Sequence, residues 1–137
     1  MATNLEITRR VKEGVSILDL KGRLIVGEPA VHLRESLNQE VAQSVVRVIL
    51  NLEHVDYIDS TGLGALVMSA TSLRKGGGNM KLLHLNRRNI ELLVMTKLAT
   101  VFEIFNDEQD AVNSYYPDRK IKTFDLLSFV QQMKKEE

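Results

Sequence analysis

The chain has 137 residues, of which 44% are hydrophobic and 26% are charged, so it is long enough for one globular domain with its own core. Its 18 basic residues balance its 18 acidic residues, which excludes a global charge that attracts nucleic acid, and the absence of cysteine excludes disulfides, thiolate metal sites and a cysteine nucleophile. No apolar run approaches the ~20 residues of a membrane span and the N-terminus lacks a secretory signal pattern, so we expect a cytoplasmic protein without direct membrane insertion.

The predicted elements begin with an antiparallel β-hairpin. Residues 5–11 and 15–22 alternate with the two-residue period of a strand, and Gly14 lies in the short turn between them. A helix of about three turns follows, with Pro29 near its start, where the missing N–H of proline does no harm. Its apolar residues recur at three- and four-residue spacing: Ala30, Leu33, Leu37 and Val41.

The middle of the chain alternates between strands and helices. Residues 44–52 form a nearly continuous β-branched and apolar run, which is typical of a central strand buried on both faces. Residues 60–75 indicate a helix that ends at the three glycines 76–78. Residues 79–85 then predict another strand.

The last third of the domain predicts three short elements: a helix over 86–98, an edge strand over 100–105 and a helix over 106–116. Asn86 or Asn89 is expected to cap the first of these helices, and Asn106 the second, which Pro117 would end. The order β-β-α-β-α-β-α-(β)-α predicts an α/β fold. Its mixed sheet of four to five strands opens with the antiparallel hairpin and continues with parallel crossovers.

Residues 117–137 stand apart from residues 1–116 as a C-terminal extension. Its apolar residues trace one face of a predicted amphipathic helix: Phe124, Leu126, Leu127, Val130 and Met133. A helix this short is marginal alone. We therefore expect it to pack on the preceding domain or to bind a partner.

The sequence offers little catalytic chemistry. His32 is predicted on a helix, His54 in a loop and His84 on a strand, and none has a second ligand at metal-binding spacing. Ser60 is not part of a Gly-x-Ser-x-Gly elbow, and the glycine-rich residues 75–81 lack the Gly-Lys-Ser/Thr end of a phosphate loop. We predict no catalytic residue, no metal site and no cofactor, and hence a protein that is not an enzyme.

The most informative segment is the junction Asp59-Ser60-Thr61-Gly62-Leu63-Gly64, between a predicted strand and helix. A helix N-terminus carries unpaired N–H groups and a partial positive charge, so Ser60 or Thr61 is expected to cap it while Asp59 complements the dipole. Glycine costs about 1 kcal/mol relative to alanine inside a helix. We therefore expect Gly62 and Gly64 to leave the backbone open, so that a protein or an anion can approach the hydroxyl.

This junction, with the strand before it and the glycine turn and strand after it, closely resembles the STAS domain of bacterial anti-sigma factor antagonists, over about residues 4–116. The resemblance implies a non-enzymatic switch. Its unphosphorylated form binds a serine-kinase anti-sigma factor and releases the sigma factor; phosphorylation by the kinase ends the interaction, and a phosphatase restores it.

The family's functional positions transfer onto the matching residues of this chain. The resemblance implies Ser60 as the phosphoacceptor, with Thr61 as the alternative. It implies a docking surface made of the whole signature: Asp59, Ser60, Thr61, Gly62, Leu63 and Gly64. For Leu63, a place in the core is an equally good interpretation.

Two positions depart from the family pattern. Ile25 stands where the family has an acid close to the phosphoacceptor, and His54 stands where an acid is frequent. These departures and the C-terminal extension favour one alternative, a structural subunit of a signalling assembly or of a lipid-transport ABC system. A homodimer is a further assembly that the sequence leaves open.

A nucleotide-responsive domain is the third alternative. Basic residues occur near the glycine turn and the start of the following helix, where phosphates bind readily. They are Arg74, Lys75, Lys81, Arg87 and Arg88.

Overall fold

The computed structural model of the protein describes residues 4–121 and residue 131. Within them the elements in chain order are β1 (Glu6–Lys12), β2 (Val15–Leu24), α1 (Glu28–Ala42), β3 (Arg47–Ile58), α2 (Ser60–Lys75), β4 (Asn79–Leu83), α3 (Arg87–Met95), β5 (Ile104–Phe105) and α4 (Glu108–Asn113). The strands form one sheet in the order β1-β2-β3-β4-β5, antiparallel between β1 and β2 and parallel elsewhere. The predicted α/β class and mixed sheet are confirmed.

The opening hairpin turns through two residues. Glu13 and Gly14 have φ values of 53° and 83°, and they connect the paired residues Lys12 and Val15. Two successive positive φ values match the twist of a tight hairpin turn. Gly14, in the turn that the sequence predicts, supplies the second of them without the steric cost of a side chain.

The central strand β3 is longer than the sequence predicts. It continues past Leu52 to Ile58. Among the strands that the structure describes, its second half pairs only with the end of β2, since β4 stops at the pair Asn51–Leu83. Register shifts between β2 and β3 break the regular alternation there, and exposed polar residues precede the signature. The pattern therefore suggested a loop around His54, which is wrong, because His54 pairs with Lys21 inside the sheet.

Two apolar clusters hold the two faces of the sheet. The larger cluster packs α1, α2 and α3 against one face and includes Leu20, Leu33, Leu50, Leu66 and Leu93. The smaller cluster covers part of the other face with α4 and is formed by Val15, Ile17, Ile49, Leu83, Phe105, Ala111 and Val112. The helices α1, α2 and α3, which follow β2, β3 and β4, therefore all lie on one face of the sheet. The signature is at the start of α2, on the same face.

Several predicted helix boundaries need correction. α1 has 15 residues, about four turns rather than three. Asp107, not Asn106, caps α4, and its Oδ2 accepts from the Asp110 N–H at 2.9 Å. Asn106 directly follows β5, one residue before the cap. α4 ends at Asn113, so Pro117 does not end it.

The predicted apolar face of the C-terminal extension lies outside the described residues: Phe124, Leu126, Leu127, Val130 and Met133.

Ion pairs and hydrogen bonds connect the β1–β2 hairpin to the helices α1 and α4. Glu40, buried near the end of α1, accepts hydrogen bonds from Arg9 at 3.0 Å and from the Ser16 hydroxyl. On the other face, Arg10 binds both Asp19 and Glu108. Arg10 therefore connects β1, β2 and α4 through two carboxylates.

Glu108 is the titrating group of this cluster with the largest depression of its pKa. Its hydrogen bond from Arg10, at 2.5 Å, and the one from Lys12, at 3.1 Å, lower its pKa to about 2, against partial burial. A lowered pKa in the folded state stabilises the fold at pH values above the unfolded pKa. The contribution is lost as pH falls from about 4.5 through about 2.

We expect Glu108→Gln to lower the free energy of unfolding by about 1 kcal/mol at pH 7, a value discounted for solvent screening of a partly exposed pair. Urea titrations at pH 7, 4 and 2.5 should show the difference from wild type narrowing as pH falls. Glu35→Gln, at an exposed position of α1, is the control and should change little at any pH. A difference of the same size at pH 7 and pH 2.5 would contradict the electrostatic origin.

Candidate functional site

Asp59 is the N-cap of α2 and ties the helix to a distant loop. Its Oδ1 accepts from the Gly62 N–H at 2.7 Å, and its Oδ2 accepts from the Val26 N–H at 2.9 Å. Its own N–H donates to the carbonyl oxygen of Leu24 at 3.2 Å. One carboxylate therefore joins the start of α2 to the β2–α1 loop.

The sequence prediction that Ser60 or Thr61 caps α2 is wrong. Asp59 has the extended backbone of an N-cap residue, with φ −92° and ψ −178°, and the helix begins at Ser60. Ser60 and Thr61 are thus the first two helical residues, and both are exposed. Among the described residues, no hydrogen bond engages the Ser60 hydroxyl. This leaves it available for chemistry.

The two glycines of the signature lie in different surroundings. A Cβ built at Gly62 would collide with the carbonyl oxygen of Leu24 and lie 2.9 Å from its Cγ, so α2 can approach the end of β2 only with glycine there. Gly62 is buried, and the prediction that it keeps the backbone open is wrong. A Cβ at Gly64 would have no neighbour within 4 Å, so the surface beside it is open.

The six signature residues therefore do not share one surface. Leu63 is 6% exposed and belongs to the large apolar cluster, so its side chain packs in the core. With Gly62 also buried, the signature reaches the surface through Ser60, Thr61 and the partly exposed Asp59 and Gly64.

An open groove lies beside Ser60, between the end of β3 and α3. It is lined by Tyr57, Ile58, Asp59, Ser60, Arg88, Glu91, Leu92 and Met95. The Arg88 guanidinium carbon lies 5.7 Å from the centroid of the Tyr57 ring, within the range of a cation–π contact. Met95 is 80% exposed, unusually open for a large apolar side chain.

The α3 wall of this groove is not indicated by any single segment of the sequence. Helices that follow neighbouring parallel strands begin near the same edge of a sheet, at the carboxyl ends of the strands. The starts of α2 and α3 could have been placed together from that rule and from the predicted strand order.

Two asparagines fix α3 against the end of β3. Asn86 caps α3 by accepting from the Asn89 N–H at 2.8 Å, while its amide donates to the carbonyl oxygens of Val55 and Asp56 at 3.2 and 3.3 Å. Asn89, fully buried, donates to the Val55 carbonyl at 3.0 Å. Of the two predicted caps, Asn86 is the one used. Asn89 serves to hold the helix to the strand.

Ile25, at the position where an acid was expected, contributes backbone contacts to this region. Its carbonyl oxygen accepts from the Ala30 N–H at 3.1 Å, within the loop that Asp59 holds through Val26. Its side chain is half-buried and brings no carboxylate towards Ser60.

The basic residues predicted near a phosphate-binding turn do not assemble into one site. Lys81 is buried on the sheet face that α4 covers, where it pairs with Glu103 at 2.9 Å and donates to the Ser114 hydroxyl at 2.7 Å. Arg74 and Lys75 are at the far end of α2 from the groove. The five basic residues therefore do not form one phosphate-binding cluster.

The three histidines are separated as well. His32 lies on α1 as predicted and hydrogen-bonds through Nδ1 to the Leu5 carbonyl oxygen at 2.9 Å. His84 was expected on a strand but lies just after β4, with a φ of 59°. In the part of the chain that the structure describes, no group of three or more histidine, aspartate or glutamate residues could hold a metal ion. Over the same residues, no helix has the length and apolarity to cross a membrane.

The fold and the strand–signature–helix junction define the class to which this protein belongs. The chain belongs to the STAS domain family, whose sequence model matches residues 6–111. It is 32% identical over 101 residues to the anti-sigma-B factor antagonist of Bacillus subtilis strain 168, an alignment that covers 74% of this chain and 91% of that protein.

Solved structures show the same fold. A putative anti-sigma factor antagonist from Thermotoga maritima superposes with a TM-score of 0.73 at 24% identity, over 79% of this chain and 92% of that one. The Bacillus cell fate determinant SpoIIAA, in its phosphorylated form, superposes with a TM-score of 0.62 at 18% identity, over 82% of this chain and 99% of that one.

We expect Asp59→Ala to destabilise the protein by about 2 kcal/mol, near the upper end for an N-cap, because both carboxylate oxygens lose a backbone donor. The matched control is Asp107→Ala, which removes the cap of α4 with its single bond to Asp110 and should cost about 1 kcal/mol. Denaturant unfolding measures both. Equal losses in the two variants would contradict a special role for the Asp59–Val26 link.

Proposed function

We propose that the protein is an anti-sigma factor antagonist whose unphosphorylated form binds a serine-kinase anti-sigma factor and thereby releases the sigma factor. Phosphorylation of Ser60 ends this binding, and a phosphatase restores it. The observation that carries the proposal is the exposed Ser60 hydroxyl at the first helical position of α2. Ser60 does not cap the helix, because Asp59 does. The names of the curated relatives agree with this role.

The local chemistry suits modification of Ser60. A phosphoryl group carries about −1.5 to −2 charges at pH 7, and the N-terminus of a helix attracts negative charge. Because the Ser60 side chain is exposed and holds no part of the fold, the added group displaces nothing. SpoIIAA, which shares the fold, has been solved in phosphorylated and unphosphorylated forms.

The transfer itself needs the partner kinase. The Ser60 Oγ forms a bond to the terminal phosphorus of a nucleoside triphosphate, the bond to the departing nucleoside diphosphate breaks, and the hydroxyl proton passes to a base. Asp59 is a poor candidate for this base because both of its oxygens accept backbone N–H groups, and Ile25 supplies no carboxylate. The kinase is therefore the source of the base.

The docking surface, in this proposal, extends from the signature into the groove. Tyr57 and Met95 expose apolar surface on the groove, and Val26 does so on the loop that Asp59 holds. Apolar side chains around a polar centre are typical of a protein interface. Ser60 then lies where a phosphate would be desolvated against the partner, which makes binding unfavourable.

We expect Ser60→Asp to lose binding to the anti-sigma kinase and Ser60→Ala to retain it. Thr71→Asp is the matched control, since it adds the same charge at an exposed position further along α2. Calorimetric titration of the purified kinase with each variant gives the affinities. A Ser60→Asp variant that binds the kinase as tightly as wild type would contradict the proposed switch.

The modification itself is tested by the intact mass of the protein isolated from growing and stressed cells. A phosphoryl increment that varies with conditions and disappears in Ser60→Ala would identify the acceptor. An increment that persists there and disappears in Thr61→Ala would move the acceptor to Thr61. If no increment occurs under any condition, the junction serves for docking only, as a structural subunit would require.

We expect Met95→Glu to weaken kinase binding at least about fivefold, because it places a charge in the apolar part of the interface. The control is Val11→Glu on β1, where a valine that is 59% exposed lies away from the groove. Both substitutions are at exposed positions, so thermal unfolding should stay near wild type. Equal affinities for the two variants would remove α3 from the docking surface.

A further inference from the structure

Arg88 is a cation of the groove for which the described residues provide no ionic partner. It is exposed on the first turn of α3 and lines the same groove as Ser60. Among the described residues it forms no ion pair, and the contact that holds it is the face of the Tyr57 ring, 5.7 Å from its guanidinium carbon. A contact of this kind at an exposed position is weak.

The acids of the groove are engaged elsewhere. Asp59 uses both oxygens to accept the N–H groups of Gly62 and Val26. Glu91 accepts from Arg87 at 3.3 Å, within α3. Arg88 is therefore available to a new anion in the groove, since neither described carboxylate that lines it binds Arg88.

We propose that Arg88 is the intramolecular counter-ion of phosphorylated Ser60. The inference rests on the proposed function, because it concerns the state that phosphorylation of Ser60 creates. The guanidinium fork is suited to binding two phosphate oxygens together, and a charge-assisted pair is stronger than a contact with the ring. Modification thus draws Arg88 from the Tyr57 ring to the phosphate.

The pairing has a consequence for docking. A phosphate bound by Arg88 bridges the starts of α2 and α3 and covers the groove between them. The apolar surface beside Ser60 is then closed to a partner at the same time as the hydroxyl is lost. Phosphorylation acts in two ways, by charge and by covering the groove.

The test uses the full chain with phosphoserine incorporated at position 60 during translation, so that no kinase is needed. Phosphorus NMR follows the second pKa of the phosphate, which is about 6 for a free phosphoserine side chain. We expect this pKa to be lower in the wild-type background than in Arg88→Ala by about 0.5, and the difference to shrink in 1 M salt.

Two further variants sharpen the result. Arg87→Ala, which removes the adjacent cation, should leave the phosphate pKa near that of the wild-type background. Arg88→Lys should restore most of the difference, since it keeps the charge but loses the fork geometry. If Arg88→Ala fails to fold, Arg88→Gln removes the same charge with more of the side chain retained.

An unchanged phosphate pKa in Arg88→Ala would overturn the proposal, as would an equal change in Arg87→Ala. This outcome is independent of the proposed switch. The phosphate is installed directly, so a chain that is never phosphorylated in cells fails the intact-mass experiment whatever Arg88 does. Conversely, a switch that operates in cells survives a negative result at Arg88.

Discussion

The carboxylate of Asp59 accepts one N–H from the helix it begins and one from a loop that lies 33 residues earlier in the chain. Both bonds converge where α2 approaches the end of β2. Leu24 is the meeting point, because its carbonyl oxygen accepts from the Asp59 N–H and lies where a side chain at Gly62 would have to go. The geometry of the signature follows from this contact, and so does the position of Ser60.

The sheet supplies the second constraint. The last residues of β3 continue beyond the end of β4. Within the described part of the chain they pair only with β2, so no described strand covers the other side of β3 there. α3 lies near this open side because Asn86 and Asn89 both donate to the Val55 carbonyl. The groove is the space that remains between α3 and the start of α2. Its walls are positioned by hydrogen bonds between the side chains of Asn86, Asn89 and Asp59 and backbone groups of other elements.

The sequence predicted the architecture well because its local signals agreed with one another. The span of α2 was predicted correctly, since a buried strand precedes it and three glycines follow it. The cap was assigned incorrectly because Asp59, Ser60 and Thr61 are all good N-cap residues, and the choice depends on the Val26 N–H, a partner distant in sequence. Gly62 was explained incorrectly for a similar reason: only the folded chain brings Leu24 against it. The α3 wall was missed because no single segment contains it.

Asp59 caps α2 and Ser60 does not. If Ser60 is phosphorylated as proposed, this separation lets one junction serve both the stability of the helix start and a change in binding. If Ser60 were the cap, a phosphate on its hydroxyl would replace the acceptor that holds the helix start, and modification would act on the fold. With Asp59 as the cap, the acceptor stays in place whatever is attached to Ser60. Phosphorylation of Ser60, as proposed, would then change the free energy of binding at the groove and leave the free energy of folding nearly unchanged. In the proposed switch, an acid directly before the hydroxyl thus allows binding to change while the cap of α2 stays in place.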